Sequence, residues 1–323
     1  MKEKDKKSKA LEAMLCMTRQ CWEQGMAAQT LLEIGEDVRL ELFVYDMVLR
    51  QSSDGRLCNV ENTPAVTDSA FCIPSVYIVG QLKKNPRYVE AARKNVEFLL
   101  KDAERAEDGT LFHMKGTKEI WADSAAFLPY ALALTGHRKE GFAQMQGILK
   151  RLYRPSIGLY YHMWDDGKGD FLRPVAWGVG NGWILTGLFR MLLVFREESE
   201  ERKWLKGKFL DLLHGMLKVQ APSGLFHNFL DKEDTYEESE VSAMVAYILY
   251  WAVKEGMIGR EYLKSAETIR EALIQKVDEK GLMWDAASSP AFEDPGTSVE
   301  GQAHFILMEE ARKNCTYFLG RDV

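Results

Sequence analysis

From Ala122 to His137 the chain carries one charged side chain, Asp123, and then none until Arg138. A helix built on such a stretch has no face for water, so it belongs in the middle of a packed structure. A near copy lies upstream. Thr67-Asp68-Ser69-Ala70-Phe71-Cys72-Ile73-Pro74 repeats the Asp-Ser-Ala of 123–125, and Pro74, like Pro129, follows its aspartate by six residues. Duplication of a buried helix points to a repeat architecture.

The repeat extends through the chain. A turn with glycine and then an apolar or aromatic residue recurs at Gly55, Gly109, Gly158, Gly224 and Gly281. Each is followed by a mostly uncharged run, at 68–80, 123–135, 181–195, 239–253 and 297–309. Between these lie segments with one apolar stripe and one charged face. Arg87 to Lys101 buries Tyr88, Ala92, Val96, Leu99 and Leu100 and exposes its charges. Segments 138–152, 201–219 and 260–277 behave alike, and 36–50 more loosely. Arg19 to Glu33 supplies a sixth inner helix.

Six inner and five outer helices, with residues 5–17 or the C-terminal tail completing the outer ring, predict an all-α fold, an (α/α)6 barrel of six helical hairpins. Neither hairpin helix buries its apolar surface alone, so the units must close on neighbours. An open solenoid is the rival, and it requires polar capping repeats that neither end clearly provides. No strand-rich block or long linker divides the chain, so residues 1–323 read as one domain. The sequence does not decide whether residues 1–10 are ordered.

The loops entering the inner helices are rich in Trp, His and Asp, while the returning links are short. One busy end predicts a site there. A net charge of −6 gives no electrostatic case for nucleic acid or an anionic membrane. No uncharged span reaches the ~20 residues of a membrane helix, and no signal-peptide core is present. Five cysteines without a Cys-x-x-Cys pair argue against a disulfide framework or structural zinc. The expectation is a cytoplasmic protein without a metal or cofactor, its oligomeric state undetermined.

Asp68 and Asp123 are the leading candidates for chemistry. Either could cap a helix, but each opens an uncharged inner helix, and Pro74 and Pro129 are expected to kink those helices. Paired carboxylates at one rim could divide general acid from base. Asp123, between Trp121 and Phe127, is the one whose pKa is expected to be raised. Trp177-Gly178-Val179-Gly180-Asn181-Gly182-Trp183 reads as a glycine-rich loop with two tryptophans that could stack on a sugar, or as a core pair with a tight turn. His113, His162 and His227 end equivalent turns. Glu23 and Gln24 place polar groups in an inner helix. The run Glu237 to Glu240 is most simply a charged helix N-terminus.

Taken together, these residues resemble the unsaturated rhamnogalacturonyl and unsaturated glucuronyl hydrolases, glycoside hydrolase families 105 and 88. The resemblance rests on Trp22-Glu23-Gln24-Gly25, Asp68, Trp121-Ala122-Asp123, Gly158 to His162 with Trp164-Asp165, the 177–183 segment and Gly296-Thr297. It implies an (α/α)6 barrel, Asp123 as general acid/base and Asp68 as the assisting carboxylate. His113, His162, Trp121, Trp177, Trp183 and Gln24 would bind substrate. The implied substrate is an oligosaccharide ending in a 4,5-unsaturated uronic acid, whose enol ether is protonated and hydrated without any cofactor. Where rhamnogalacturonan-type members carry an arginine in Trp-x-Arg-Gly-Asn-Gly-Trp, this chain has Val179. Arg173 is the candidate replacement for clamping the uronate. The alternatives are an epimerase- or isomerase-type barrel working through histidines, and a non-catalytic sugar-binding barrel.

Overall fold

The computed structural model describes residues 3–59, 63–288 and 291–318. Its helices alternate between two rings. The inner ring is α2 (Cys21–Ile34), α4 (Ile73–Leu82), α6 (Leu128–Leu134), α8 (Gly178–Val194), α10 (Ser239–Lys254) and α12 (Val299–Phe318). Each packs on the next, and α12 packs on α2, so the ring closes. That closure excludes the open solenoid.

The outer ring is α1 (Glu3–Met17), α3 (Asp37–Leu49), α5 (Pro86–Lys101), α7 (Arg138–Leu152), α9 (Glu200–Leu217) and α11 (Leu263–Lys276). Helix α1 packs on α12 and completes this ring. Its lysines hold it there. Lys7 pairs with Glu310 at 2.5 Å, and Lys6 donates to the carbonyls of Ile274 and Val277. The fold is an (α/α)6 barrel, as the repeat predicts. No helix among the described residues is long and apolar enough to cross a membrane.

The repeat has a local cause. All five turn glycines have left-handed φ values, between 71° and 98°, which only glycine adopts without strain. Two residues after each, a backbone N–H donates to a buried helix side chain. Leu57 donates to Asn95, Leu111 to Gln144, Tyr160 to Asn181, Phe226 to Ser242 and Met283 to Gln302. Each incoming loop is thereby tied to a helix of the barrel, α5 and α7 of the outer ring for the first two and α8, α10 and α12 of the inner ring for the rest.

Two local expectations are corrected. Pro74 and Pro129 sit in the first turn of α4 and α6, where the missing N–H costs nothing, so they start helices instead of kinking them. Asp68 and Asp123 lie in separate 3-10 turns, Asp68–Phe71 and Ala122–Ala125, that precede those helices.

The strands are short and lie in the connections. Three of them organise the busy end: β1 (Glu119–Trp121), β4 (Met163–Asp165) and β5 (Asp170–Arg173) form one antiparallel sheet in the order β1-β4-β5. The others pair as hairpins: β2 (Tyr153–Arg154) with β3 (Leu159–Tyr160), β6 (Phe226–His227) with β7 (Glu237–Glu238), and β8 (Ala286–Ser288) with β9 (Ala291–Gly296).

Helix α8 presses on the turn that carries Asp123 through Gly187. A Cβ there would lie 2.0 Å from the Ala125 carbonyl oxygen, a backbone atom that cannot give way. Gly187→Ala is expected to cost about 2–3 kcal/mol in urea denaturation, at the upper end of overpacking. An unchanged midpoint would show that this contact does not set the helix spacing.

Candidate active site

A cavity of about 850 Å3, counted to its open mouth, sits at the end of the barrel where the long loops enter. Asp68, Asp123, His113, Trp121, Trp177 and Trp183 all line it. His162 does not. It is buried behind Asp123, with its side chain fully covered. Gln24 is also outside the lining, and its neighbour Trp22 is the residue of that helix that reaches the cavity. Glu23 caps α2, accepting from the Arg19 and Gln20 N–H groups at 2.6 Å.

The three-stranded sheet explains how Asp123 is held. Trp121 pairs with Met163, and Met163 with Arg173. The residues just beyond these pairs continue the registration: Ala122 N–H donates to His162 O at 3.0 Å, and His162 N–H to Val175 O at 3.1 Å. Asp123, His162 and Arg173, far apart in sequence, are thus brought side by side.

Their hydrogen bonds fix one tautomer. Arg173 Nη1 lies 2.8 Å from His162 Nδ1, and a guanidinium only donates. Nδ1 is therefore the acceptor, the ring proton is on Nε2, and Nε2 donates to Asp123 Oδ2 at 3.1 Å. Burial keeps His162 neutral, its pKa lowered although Asp123 pulls the other way. For Asp123 burial pushes the pKa up, but the His162 hydrogen bond and the two neighbouring histidines outweigh it. The net shift is downward.

Asp68 has no such donor. His113 Nε2 stands 3.7 Å from its Oδ1, beyond hydrogen-bond range. Burial, then the charges of Asp123 and Glu300, push Asp68 up to about 7. The expected order is reversed. Asp68 is the carboxyl that holds a proton near neutrality and Asp123 the one that stays ionised, because the sheet supplies a donor to Asp123 alone. Neither carboxylate caps a helix.

His113 is lowered to about 4 by burial. Its Nδ1 contacts the Thr67 and Ser124 hydroxyls at 2.7 and 3.1 Å, and its ring stacks on Trp121 at 4.3 Å. His227 contacts the Thr235 carbonyl at 2.7 Å and takes no part in the cavity. Segment 177–183 is the start of α8 and not a loop. Its glycines are packing sites, a Cβ at 182 falling 2.2 Å from the Met244 sulfur. Asn181 serves the backbone of Tyr160 and Trp177. Trp177 and Trp183 are largely covered, yet both present edges to the cavity.

Two lining carboxylates escaped the sequence reading as site residues, Glu240 and Glu300. Glu240 looked like part of an exposed acidic helix start. Only Glu238 caps α10, accepting from Val241 N–H at 2.6 Å and also from Ala287 N–H at 2.8 Å, while Glu240 is 1% exposed. Phe292 closes the wall beside Trp177, with rings 5.0 Å apart. Among the described residues no cluster of His, Cys, Asp and Glu could hold a metal ion.

The model of one family, Glycosyl Hydrolase Family 88, matches residues 2–293. The chain belongs to that family. A relative from Bacillus subtilis, unsaturated rhamnogalacturonyl hydrolase YesR, is 28% identical over 207 residues, 60% of this chain and 58% of that one. The unsaturated 3S-rhamnoglycuronyl hydrolase of Formosa agariphila is 25% identical over 220 residues, 62% of this chain and 58% of its own. The matches thus span under two thirds of these curated relatives. Among solved structures, a possible family 105 member from Salmonella enterica superposes with a TM-score of 0.85 at 17% identity, covering 97% of this chain and 94% of that one. The unsaturated glucuronyl hydrolase of Bacillus sp. GL1 gives 0.70 at 16%, covering 94% and 88%. These likenesses show the family 88 chain to have the barrel of those proteins.

A folded pKa above the unfolded value means that the unfolded state releases its proton first as pH rises. Burial of Asp68 therefore destabilises the fold increasingly from about pH 4 to about pH 7. Asp68→Asn is expected to stabilise the protein by roughly 2–4 kcal/mol at pH 8 and to make no difference near pH 4. Chemical denaturation at the two pH values checks this. An equal effect at both would mean that Asp68 does not titrate as described.

Proposed function

We propose that this family 88 chain is a single catalytic domain. It removes a 4,5-unsaturated uronic acid from the end of a small oligosaccharide left by a polysaccharide lyase. The observation that carries the reading is that two carboxyls, Asp68 and Asp123, line one cavity and only Asp123 accepts a hydrogen bond from a histidine, His162 at 3.1 Å. The relatives' names point to the same substrate class.

In the proposed reaction Asp123 delivers a proton to C4 of the enol ether. Water then adds at C5 and returns a proton to the carboxylate. The resulting hemiketal opens and releases the second sugar. One water is consumed and the carboxyl is regenerated. In the free protein Asp123 is ionised, so the proton must reach it on binding. A uronate entering the cavity excludes water from Asp123 and adds a second negative charge, and both effects favour its protonated form. Asp68 is the store of that proton. Trp121 and the exposed edge of Trp177 offer the sugar apolar surface. An isomerase working through histidine fits poorly, since both ring nitrogens of His162 are engaged and His113 is held neutral.

The test is loss of the unsaturated uronate's ultraviolet absorbance across pectic and glycosaminoglycan disaccharides. Asp123→Asn and Asp68→Asn are each expected to lower the rate by about 10²–10⁴-fold, the usual contribution of an acid–base group. Undiminished turnover by Asp123→Asn would sink the mechanism. A flat trace for wild type on every disaccharide would sink the function.

A further inference from the structure

The cavity wall has a composition that suits an acidic sugar poorly. Four carboxyl groups line it, Asp68, Asp123, Glu240 and Glu300, and among the described residues no lysine or arginine does. Val179, in the slot where related loops carry arginine, lines the wall with an uncharged side chain. Arg173 does not substitute for that arginine. Its guanidinium binds His162 Nδ1 at 2.8 Å and Glu293 at 3.2 Å, behind Asp123. A uronate among four ionised carboxylates would meet only repulsion and unpaired acceptors.

Glu240 and Glu300 have the geometry to resolve this. Both reach the cavity from the first turns of adjacent inner helices, α10 and α12. Glu240 Oε2 is 3.2 Å from the Ser298 hydroxyl, whereas its buried Oε1 has no hydrogen-bond partner. The nearest ring nitrogen, His304 Nδ1 at 3.5 Å, donates to the Glu300 carbonyl instead. Glu300 faces the Trp22 indole N–H.

We propose that this site holds the substrate's carboxylate through protonated Glu240 and Glu300, each sharing its proton with the anion, in place of an arginine clamp. At pH values where these groups are ionised in the free protein, substrate binding therefore takes up protons. This rests on the reading that the substrate is a uronyl sugar. A carboxylic acid donates to a carboxylate in a short, charge-assisted hydrogen bond, and only the neutral acid can do so.

The surroundings favour the neutral acids. Facing Glu240 are Asp123, Glu238 and Tyr236, with neutral His304 behind it. Facing Glu300 are Glu240, Glu23 and Asp68. The charge of Arg190 of α8 acts on His304. Burial pushes both glutamates up to about 8; the Ser298 hydroxyl pulls Glu240 back and the charge of Asp123 adds to the rise, while for Glu300 the charges of Glu240 and Glu23 add to it and the Trp22 N–H opposes it.

The test is binding of an unsaturated uronyl disaccharide, and of its methyl ester, to the full chain carrying Asp123→Asn, by calorimetry from pH 6 to pH 9. Above the glutamates' titration the acid is expected to lose about tenfold in affinity per pH unit for each glutamate that must be reprotonated. It should there take up between one and two protons, read from buffers of different ionisation enthalpy. The ester should do neither. Glu240→Gln keeps a donor at the same place but cannot titrate, and should still bind the acid while making its profile shallower and its proton uptake smaller, Glu300 alone still titrating. Matching profiles for acid and ester would overturn the proposal. So would tighter binding of the acid at rising pH, or preferential binding of an amino sugar, which would mark a cation site. Wild-type turnover on the same disaccharide separates the two claims: turnover with pH-independent binding sinks only this one.

Discussion

The hydrogen-bonded line Arg173–His162–Asp123 is the constraint on which the site depends. Arginine can only donate, so His162 must accept at Nδ1 and donate at Nε2. A hydrogen bond to a charged group contributes about 1.5–3 kcal/mol. Together with the two neighbouring histidines it offsets the burial of Asp123 and lowers its pKa, whereas Asp68, more deeply buried and without such a donor, is pushed up to about 7. Two aspartates that look interchangeable in sequence are made different by their neighbours.

The barrel positions this line with little freedom. Left-handed glycine turns set where each loop enters, and the N–H two residues later ties it to a helix side chain. Close helix approaches then fix depth: Gly187 against the Ala125 carbonyl and Gly182 against Met244. The glycines at the start of α8 are therefore spacing devices. The same tight spacing buries Glu240 and Glu300 in the cavity wall, where they have little choice but to be neutral or paired.

Much of this was legible in the residues. Uncharged and amphipathic segments alternating at a regular interval gave the two rings, and the Asp-Ser-Ala duplication pointed at the two carboxylates. What could not be read was anything depending on the small sheet. Nothing local marks 119–121, 163–165 and 170–173 as neighbours, and without that registration His162 looks like a substrate ligand and Arg173 like a clamp. The error over Asp123 followed directly, since its apolar sequence neighbours suggested a raised pKa while its spatial neighbour lowers it. Glu240 was missed for a related reason. An acid one residue into a helix is usually wet, and only ring closure between α10 and α12 buries it. Pro74 and Pro129 misled because a short 3-10 turn, invisible in the pattern, separates each aspartate from the helix proper.

The central claim is that the two carboxyls are split by their neighbours, with the His162 N–H on Asp123 the main difference between them. Carbon-13 NMR of aspartate carboxyls in the free protein, assigned with Asp68→Asn and Asp123→Asn, tests it most directly. The account predicts that the Asp68 signal titrates near pH 7 and that Asp123 remains ionised to below the ordinary aspartate range. A signal from Asp123 that titrates near neutrality, with Asp68 ionised throughout, would contradict it.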